Sequence, residues 1–383
     1  MIYLDNAATT KVDSKVVKKM LPYFEKEFGN SSSIHERGLK AKEALENSRR
    51  IIANSINANP KEIYFTSGGT ESNNLAIKGI AFASRDANKE NNHIITTKIE
   101  HKCVMDACKW LETQGFRVTY LNVNQEGFID LKQLEGSITK NTILVSVIHG
   151  NNEIGTIQDI EAIGKICKKH GVLFHSDACQ SFTKTEINVV NQGVDLLTIN
   201  AHKIHGPKGI GALYIKEGIK ITPLNHGGGQ ERNIRSGTEN VPGIVGFAEA
   251  VKIADKKNIP KMEKLRDELI DELLKIKGTK LNGPRNNRLC NNVNISFKGI
   301  EGEAIGGDLN DNGIASSTGS ACAERNLDVS YVLTAIGCSH EEGNGSLRLS
   351  LSKYTTEKEI QTILKVMPKV VQRLRSISPY GKV

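Results

Sequence analysis

Three side chains of different chemistry closely follow three apolar runs of the chain: His101, Asp177 and Lys203. In an open parallel sheet, ligands bind beyond the carboxyl ends of the strands, so residues at these positions converge. Lys203 comes 26 residues after Asp177 (203 minus 177), which leaves room for one helix and one strand. A lysine for a covalent link, an acid beside a ring nitrogen and a flat ring for stacking suit pyridoxal phosphate. The three residues therefore predict a site for that cofactor.

A segment rich in glycine and hydroxyl groups, 67–70, follows the run at 63–66 and opens a helical pattern. Free N–H groups and the positive end of a helix dipole can hold a phosphate. By itself the segment is explained about equally well as a capped turn. Asp177 alone is explained as a helix cap, His101 as a packed ring and Lys203 as an exposed amine. Their convergence on one sheet edge favours a site.

The elements that would position these residues alternate along the chain. Amphipathic segments such as 159–170, which ends at Gly171, separate short apolar runs, and this alternation predicts a largely parallel sheet covered on both faces. The runs lie at 63–66, 94–97, 117–121, 143–148, 172–176, 196–200 and 211–215. From about 255 a charged helical pattern, two strand-like runs and a final helix predict a smaller α+β domain. We expect a large cofactor-binding domain over 15–255 and a small domain from 1–14 and 256–383.

Composition excludes several classes of protein. With 38% apolar and 25% charged residues, the chain has no stretch near the roughly 18 consecutive apolar residues of a membrane span. Its first residues lack the basic start and apolar run of a secretory signal, which predicts a cytoplasmic protein. The formal charge of +8 is dispersed, so no direct nucleic-acid binding is expected, although an acidic partner protein or a tRNA stays open. The seven cysteines form no Cys-x-x-Cys pair, so neither a disulfide framework nor an intrinsic metal site is predicted.

Motifs spread over nearly the whole chain resemble those of the cysteine desulfurases of the NifS/IscS type. The matching motifs are YLDNAATT at 3–10, FGNSSSIH at 28–35, SGGTESNN at 67–74, EH at 100–101, NNEIG at 151–155, SDACQ at 176–180, AHKIHGPKG at 201–209, GGGQERNIRSGT at 227–238 and SSTGSAC at 316–322. This resemblance implies an α/β protein of the aspartate-aminotransferase type (fold type I). Its large domain would carry a seven-stranded, mostly parallel sheet, and the protein would be a homodimer.

The resemblance also implies roles for matching residues. Lys203 would hold the cofactor, Asp177 would pair with its ring nitrogen, and His101 would stack on the ring and help to move protons. Arg348 would bind the substrate carboxylate through its planar two-point donor. The remaining cofactor contacts would come from Gly69, Thr70, Asn152, Gln180, Asn200, His202 and, from the second subunit, Thr238. Asn152 would also lie beside the substrate.

Cys322 ends the glycine- and serine-rich segment 316–322, which by this resemblance is an extended cysteine loop. Cys322 would take sulfur from L-cysteine as a persulfide and leave L-alanine. The sulfur would pass to an iron–sulfur scaffold protein or to tRNA thiolation, with Cys322 also a candidate transient cluster ligand shared with the scaffold. Asn200 replaces a common serine or threonine, and Ser31 a common proline. An aminotransferase, a selenocysteine lyase and a non-catalytic sulfur relay are the alternatives.

Overall fold

The computed structural model describes residues 1–318 and 329–381. Within these ranges, the strands are β1 (Ile2–Tyr3), β2 (Ile63–Thr66), β3 (His93–Thr97), β4 (Arg117–Leu121), β5 (Thr142–Ser146), β6 (Leu173–Asp177), β7 (Leu196–Asn200), β8 (Gly211–Ile215), β9 (Thr279–Leu281), β10 (Asn292–Phe297), β11 (Ile314–Ala315) and β12 (Ser346–Ser350). The helices are α1 (Ser14–Met20), α2 (Pro22–Glu25), α3 (Glu36–Ser55), α4 (Gly69–Ala87), α5 (Lys102–Thr113), α6 (Leu131–Ser137), α7 (Ile160–His170), α8 (Val241–Lys252), α9 (Asn258–Leu274), α10 (Gly302–Asp311), α11 (Tyr331–Ala335), α12 (His340–Asn344) and α13 (Glu357–Ile377).

Seven strands form the main sheet in the order β2-β8-β7-β6-β5-β3-β4. Strands β4, β3, β5, β6 and β7 pair in parallel, whereas β8 is antiparallel to both of its neighbours. All residues of β3, β5, β7 and β8 are buried, which explains why their sequences are apolar runs without alternation. The predicted seven-stranded, mostly parallel sheet is confirmed.

Helices cover both faces of this sheet. On one face, Ile80 of α4 and Val104 of α5 belong to the same apolar core as Leu144. On the other face, Ile52 of α3 and Phe247 of α8 pack in a second core. Helices packed on both faces therefore hold the sheet in place. The loops at the carboxyl ends of the parallel strands begin from this packed sheet.

A smaller sheet, β12-β10-β9, is antiparallel and packs in a separate core with α9, α10 and α13. The N-terminus joins this part, since β1 pairs in parallel with β11 and Leu4 is buried in the same core. Val16, by contrast, packs in a core of the larger part. On this evidence we propose the division into 15–255 and 1–14 with 256–383.

Candidate active site

The site is built where strands end and helices begin. Asp177 is the last residue of β6 and Asn200 the last of β7, and both are buried. Gly69 is the first residue of α4, and His101 caps the start of α5. The sequence pattern places Asp177 just after its strand, but the sheet pairing extends by one residue to include it. The predicted convergence at one sheet edge is present.

Asp177 is oriented by two donors. Its Oδ2 accepts a hydrogen bond from Asn73 Nδ2 at 2.6 Å, and its Oδ1 accepts one from the Cys179 backbone N–H at 2.9 Å. Neither donor is a cation, so the two contacts orient the carboxylate without pairing it with a charged group of this chain. A ring N–H⁺ of a bound cofactor is a suitable partner for such an acid.

His101 is held as a neutral ring. Its Nδ1 accepts the backbone N–H of Cys103 at 3.2 Å, so in the neutral ring the proton is on Nε2. The Cys103 Sγ lies 3.0 Å from the same Nδ1, and Asn73 Nδ2 lies 3.2 Å from that sulfur. Burial lowers the pKa of His101, and the Lys203 charge lowers it further against the opposing effect of Asp177. A neutral imidazole is suited to stacking and to proton transfer.

Lys203, in the loop after β7, contacts two backbone carbonyls of the N-terminal segment. Its Nζ donates to the carbonyl oxygens of Ala7 and Ala8, and Gln180 Nε2 also donates to the Ala7 oxygen, at 2.9 Å. Burial lowers the pKa of Lys203 to about 8, and the charge of Arg348 contributes in the same direction. A larger share of this amine is therefore neutral near pH 7 than for an exposed lysine, and only a neutral amine can act as nucleophile or base.

The N-terminal segment is a part of the site whose role the sequence did not indicate. Besides the Ala7 and Ala8 carbonyls, Thr9 Oγ1 lies 3.2 Å from His202 Nδ1. Burial, together with the nearby Lys203 charge, lowers the pKa of His202 to about 4. The motif at 3–10 was a signal for this segment, but its contacts to Lys203 are made by backbone oxygens, which any residue could supply.

The predicted phosphate cradle is formed by a glycine and by buried side-chain amides. A Cβ atom at position 69 would lie 2.6 Å from Cys179 Sγ, so this position requires glycine. Asn200 Oδ1 and Asn73 Oδ1 are buried without a hydrogen-bond partner in residues 1–318 and 329–381. Buried polar atoms are costly without partners, and an amide can present either its oxygen or its nitrogen by rotation. The cradle therefore fits a polar group of a bound cofactor.

Arg348 reaches the site from β12 of the smaller domain. Its Nη2 forms an ion pair with Asp5 Oδ1 at 3.0 Å, and its Nη1 donates to the Asn152 carbonyl at 3.1 Å. Its Nε is buried and has no hydrogen-bond partner in the described chain. A buried guanidinium with an unused donor can bind a carboxylate. The Asp5 contact was not foreseen, since 343 residues separate the two side chains along the chain.

Two predicted residues are not brought into this cluster. Thr238 is exposed and lines a small pocket with Thr66 and Ser67 at the edge of the cradle, but in the described residues it forms no hydrogen bond to Gly69 or Asn200. Its segment is fixed by a buried ion pair, Arg49 Nη2 to Glu231 Oε1 at 2.7 Å, and Glu231 also accepts the Phe65 N–H. Cys322 lies outside the described residues. The roles of both stay predictions.

Comparisons with known proteins identify the chain's family. The family model for class-V aminotransferases matches residues 2–363. A cysteine desulfurase IscS of Methanosarcina thermophila is 51% identical over 381 residues, covering 99% of this chain and 94% of the relative. A solved NifS-like protein has a TM-score of 0.91 at 39% identity, covering 97% of this chain and 100% of its own. A structure described as SspA in complex with cysteine has a TM-score of 0.83 at 39% identity, covering 93% and 100%.

The sheet, its flanking helices and the lysine–aspartate edge define a pyridoxal-phosphate enzyme of fold type I. The chain belongs to the class-V aminotransferase family and, within it, to the cysteine desulfurases. The predicted family, fold type and cofactor are thereby confirmed.

Proposed function

We propose that this chain takes sulfur from L-cysteine onto Cys322 and releases L-alanine. The observation that carries the proposal is the pairing of Ser317 with Arg348, whose backbones exchange hydrogen bonds of 2.7 and 3.1 Å. Cys322 is five residues beyond Ser317 (322 minus 317), so an extended chain of about 3.6 Å per residue reaches at most ~18 Å. The length of the intervening chain therefore permits the Cys322 thiol to reach a substrate held by Arg348.

Pyridoxal phosphate supplies an electron sink that weakens bonds at the substrate's α-carbon. Arg348 orients the substrate by its carboxylate. The Lys203 amine, with its pKa lowered to about 8, accepts the proton of the substrate's α-carbon and returns a proton later. His101, neutral and protonated on Nε2, would stack on the cofactor and assist this proton transfer.

In the sulfur step, the Cys322 thiolate attacks the sulfur of the substrate. The S–S bond forms as the substrate's Cβ–S bond breaks, and the carbon skeleton leaves as alanine after it gains a proton. The other six cysteines are poor candidates, because burial raises the pKa of each and keeps the thiol protonated. They are Cys103, Cys108, Cys167, Cys179, Cys290 and Cys338.

The direct experiment is to incubate the purified protein with cysteine and no keto acid. Alanine and Cys322-bound persulfide, the latter located by mass spectrometry of peptides, should form in equal amounts in the first turnover. An aminotransferase would need a keto-acid acceptor and would leave Cys322 unmodified. Alanine formation that depends on a keto acid would refute the proposal.

The substrate role of Arg348 leads to a quantitative prediction. Arg348→Ala should raise the Michaelis constant (KM) for cysteine by about 10- to 150-fold, the equivalent of one lost charge-assisted contact, and should spare cofactor binding. Arg266→Ala is a matched control, because Arg266 is also buried but donates to the carbonyls of Arg288 and Leu289. The control should lower the melting temperature and leave KM unchanged. An unaltered KM in Arg348→Ala would contradict the assignment.

We also propose a homodimer in which Thr238 completes the phosphate site of the partner subunit. Large apolar side chains are exposed along 21–34, among them Phe24 (61%), Phe28 (63%) and Ile34 (93%). A second copy of the chain would remove this surface from water. The exposed Thr238 has the accessibility that a role in the partner's site requires.

Sedimentation of the purified protein should therefore give a dimer. Phe24→Arg should weaken the dimer and reduce cofactor retention together, since charge is costly in an apolar interface. Val190→Arg, at another exposed apolar residue (66%), should do neither. A stable and fully active monomer at working concentration would contradict both the dimer and the role of Thr238.

The sulfur acceptor and the compartment are proposed on chemical grounds. A persulfide on Cys322 can pass to an iron–sulfur scaffold protein or to a tRNA-thiolation pathway. The six described cysteines are free thiols, which fits the reducing cytoplasm. Among the described helices, none has the length and apolarity needed to cross a membrane.

A further inference from the structure

A second lysine, Lys184, connects the two loops that carry Gln180 and Lys203. Its Nζ donates to the backbone carbonyl of Gln180 at 2.8 Å and to that of Lys203 at 3.3 Å. In the described part of the chain, no other donor to either carbonyl is found. Gln180 follows β6 and Lys203 follows β7, and these strands are neighbours in the sheet. One amine therefore joins two loops of the candidate active site.

The backbone that leads into Lys184 has a strained conformation. Thr183 has a φ of 64°, in the left-handed region that a β-branched residue rarely adopts. The Lys184 N–H donates to the Ser181 carbonyl at 2.8 Å and closes this turn. His205, two residues after Lys203, also has a positive φ, of 67°. Strained residues persist only where the surrounding structure determines them, and they cluster at functional sites.

The charge of Lys184 is not paired with a carboxylate anywhere in the part of the chain that the structure describes. Burial lowers its pKa to about 8, so at pH 7 most of the amine is still charged. The titratable groups that oppose this effect are the thiols of Cys179 and Cys290, and burial keeps both protonated. The uncompensated charge contributes to the lowered pKa values of Lys203 and His202.

Several other groups face Lys203. Burial is the largest cause of its lowered pKa, and the charge of Arg348 on β12 comes next. Cys179, after β6, and Asp5, in the N-terminal segment, act in the opposite direction. Arg348 forms an ion pair with Asp5 at 3.0 Å, whereas Lys184 has no such partner in the described residues. Lys184 is therefore the group whose removal changes the charge around Lys203 without breaking an ion pair.

We propose that Lys184 is a positioning residue for the cofactor lysine: it fixes the backbone of Lys203 and supplies a nearby positive charge that keeps the Lys203 amine neutral and reactive. This inference rests on the proposed attachment of the cofactor to Lys203. In that attachment, a neutral amine adds to the aldehyde carbon of pyridoxal phosphate, and water leaves as the C=N bond forms. A protonated amine has no free electron pair for this addition.

The test measures the pH dependence of cofactor attachment. Full-length protein freed of cofactor is mixed with pyridoxal phosphate over a range of pH, and the rise of visible absorption gives the rate. In Lys184→Met the pH of half-maximal rate should shift upward. At pH 7 the rate should fall by about 3- to 10-fold, since one pKa unit changes the neutral fraction about tenfold. Lys184→Arg keeps a charge and donors and should restore most of the rate.

Two control variants separate this role from a merely structural one. Lys353 lines the same cavity as Lys184 and Lys203, but its charge is paired with Asp13 Oδ2 at 2.7 Å. Lys353→Met should lower the melting temperature and leave the pH profile unchanged. Thr183→Gly should keep the profile and not lower the melting temperature, because glycine adopts a positive φ without steric cost.

An unshifted pH profile in folded Lys184→Met would overturn the inference, whether or not the rate changes. If that variant does not fold, Lys184→Gln, which keeps a donor without the charge, must show the same upward shift. Borohydride reduction and peptide mapping of the wild type distinguish the two levels of the argument. Cofactor on a residue other than Lys203 would refute the attachment itself, whereas cofactor on Lys203 with an unshifted profile in the variants would refute only the role of Lys184.

Discussion

Replacing Lys203 by alanine is expected to abolish covalent attachment of the cofactor and to reduce cysteine turnover by at least ~10²–10⁴-fold, the usual contribution of a catalytic acid–base group. The variant loses both the amine that holds the cofactor and the base that moves the substrate's α-proton. Its purified form should lack the visible absorption of the covalently bound cofactor. Absorption spectra and a coupled alanine assay measure the two losses independently.

A second buried lysine makes this test informative. Lys184 donates to the carbonyls of Gln180 and Lys203 at 2.8 and 3.3 Å, and burial lowers its pKa to about 8 as well. The pKa values therefore do not distinguish the two amines. Borohydride reduction followed by peptide mapping should place the cofactor on Lys203, and Lys184→Met should keep it there. A cofactor found on Lys184 would contradict the assignment.

Much of the large domain was predictable because most strands of its sheet, though not the edge strand β4, are buried. The runs at 63–66, 117–121, 196–200 and 211–215 match their strands residue for residue, and the other three runs are displaced by one or two residues at their ends. Full burial makes such strands continuously apolar, so their positions are visible without knowledge of the pairing. Asp177 and Lys203 could be placed at one edge for the same reason.

The remaining parts of the site depend on contacts between distant segments. The Ala7 and Ala8 carbonyls around Lys203 carry no side-chain signature. The pairing of Asp5 with Arg348 and the packing of α11 on the larger domain join residues that are far apart in the chain. Periodicity and motif spacing describe local structure, whereas these contacts follow only from the assembled fold.

Cys322→Ser is the change that separates desulfuration from other reactions of the same cofactor. The variant should keep its fold and cofactor, because neither Lys203 nor Asp177 is altered. Cysteine should still bind, since Arg348 is unchanged. Alanine and persulfide should both fall to background, because a neutral hydroxyl is a far poorer nucleophile toward sulfur than a thiolate. Absorption spectroscopy with cysteine measures substrate binding, and a single-turnover assay measures alanine formation.

The matched control is Cys338→Ser, the same substitution at a described thiol. Cys338 is buried in an apolar cluster with Val332 and Leu333 of α11, and its thiol donates to Asn282 Oδ1 at 3.4 Å. Burial raises the pKa of Cys338, so it lacks thiolate character. A hydroxyl can replace that donor, and this variant should form alanine and the Cys322 persulfide at close to the wild-type rate. If Cys322→Ser instead released alanine normally, the sulfur would be carried by another group. The sulfur-accepting role of Cys322 would then be wrong.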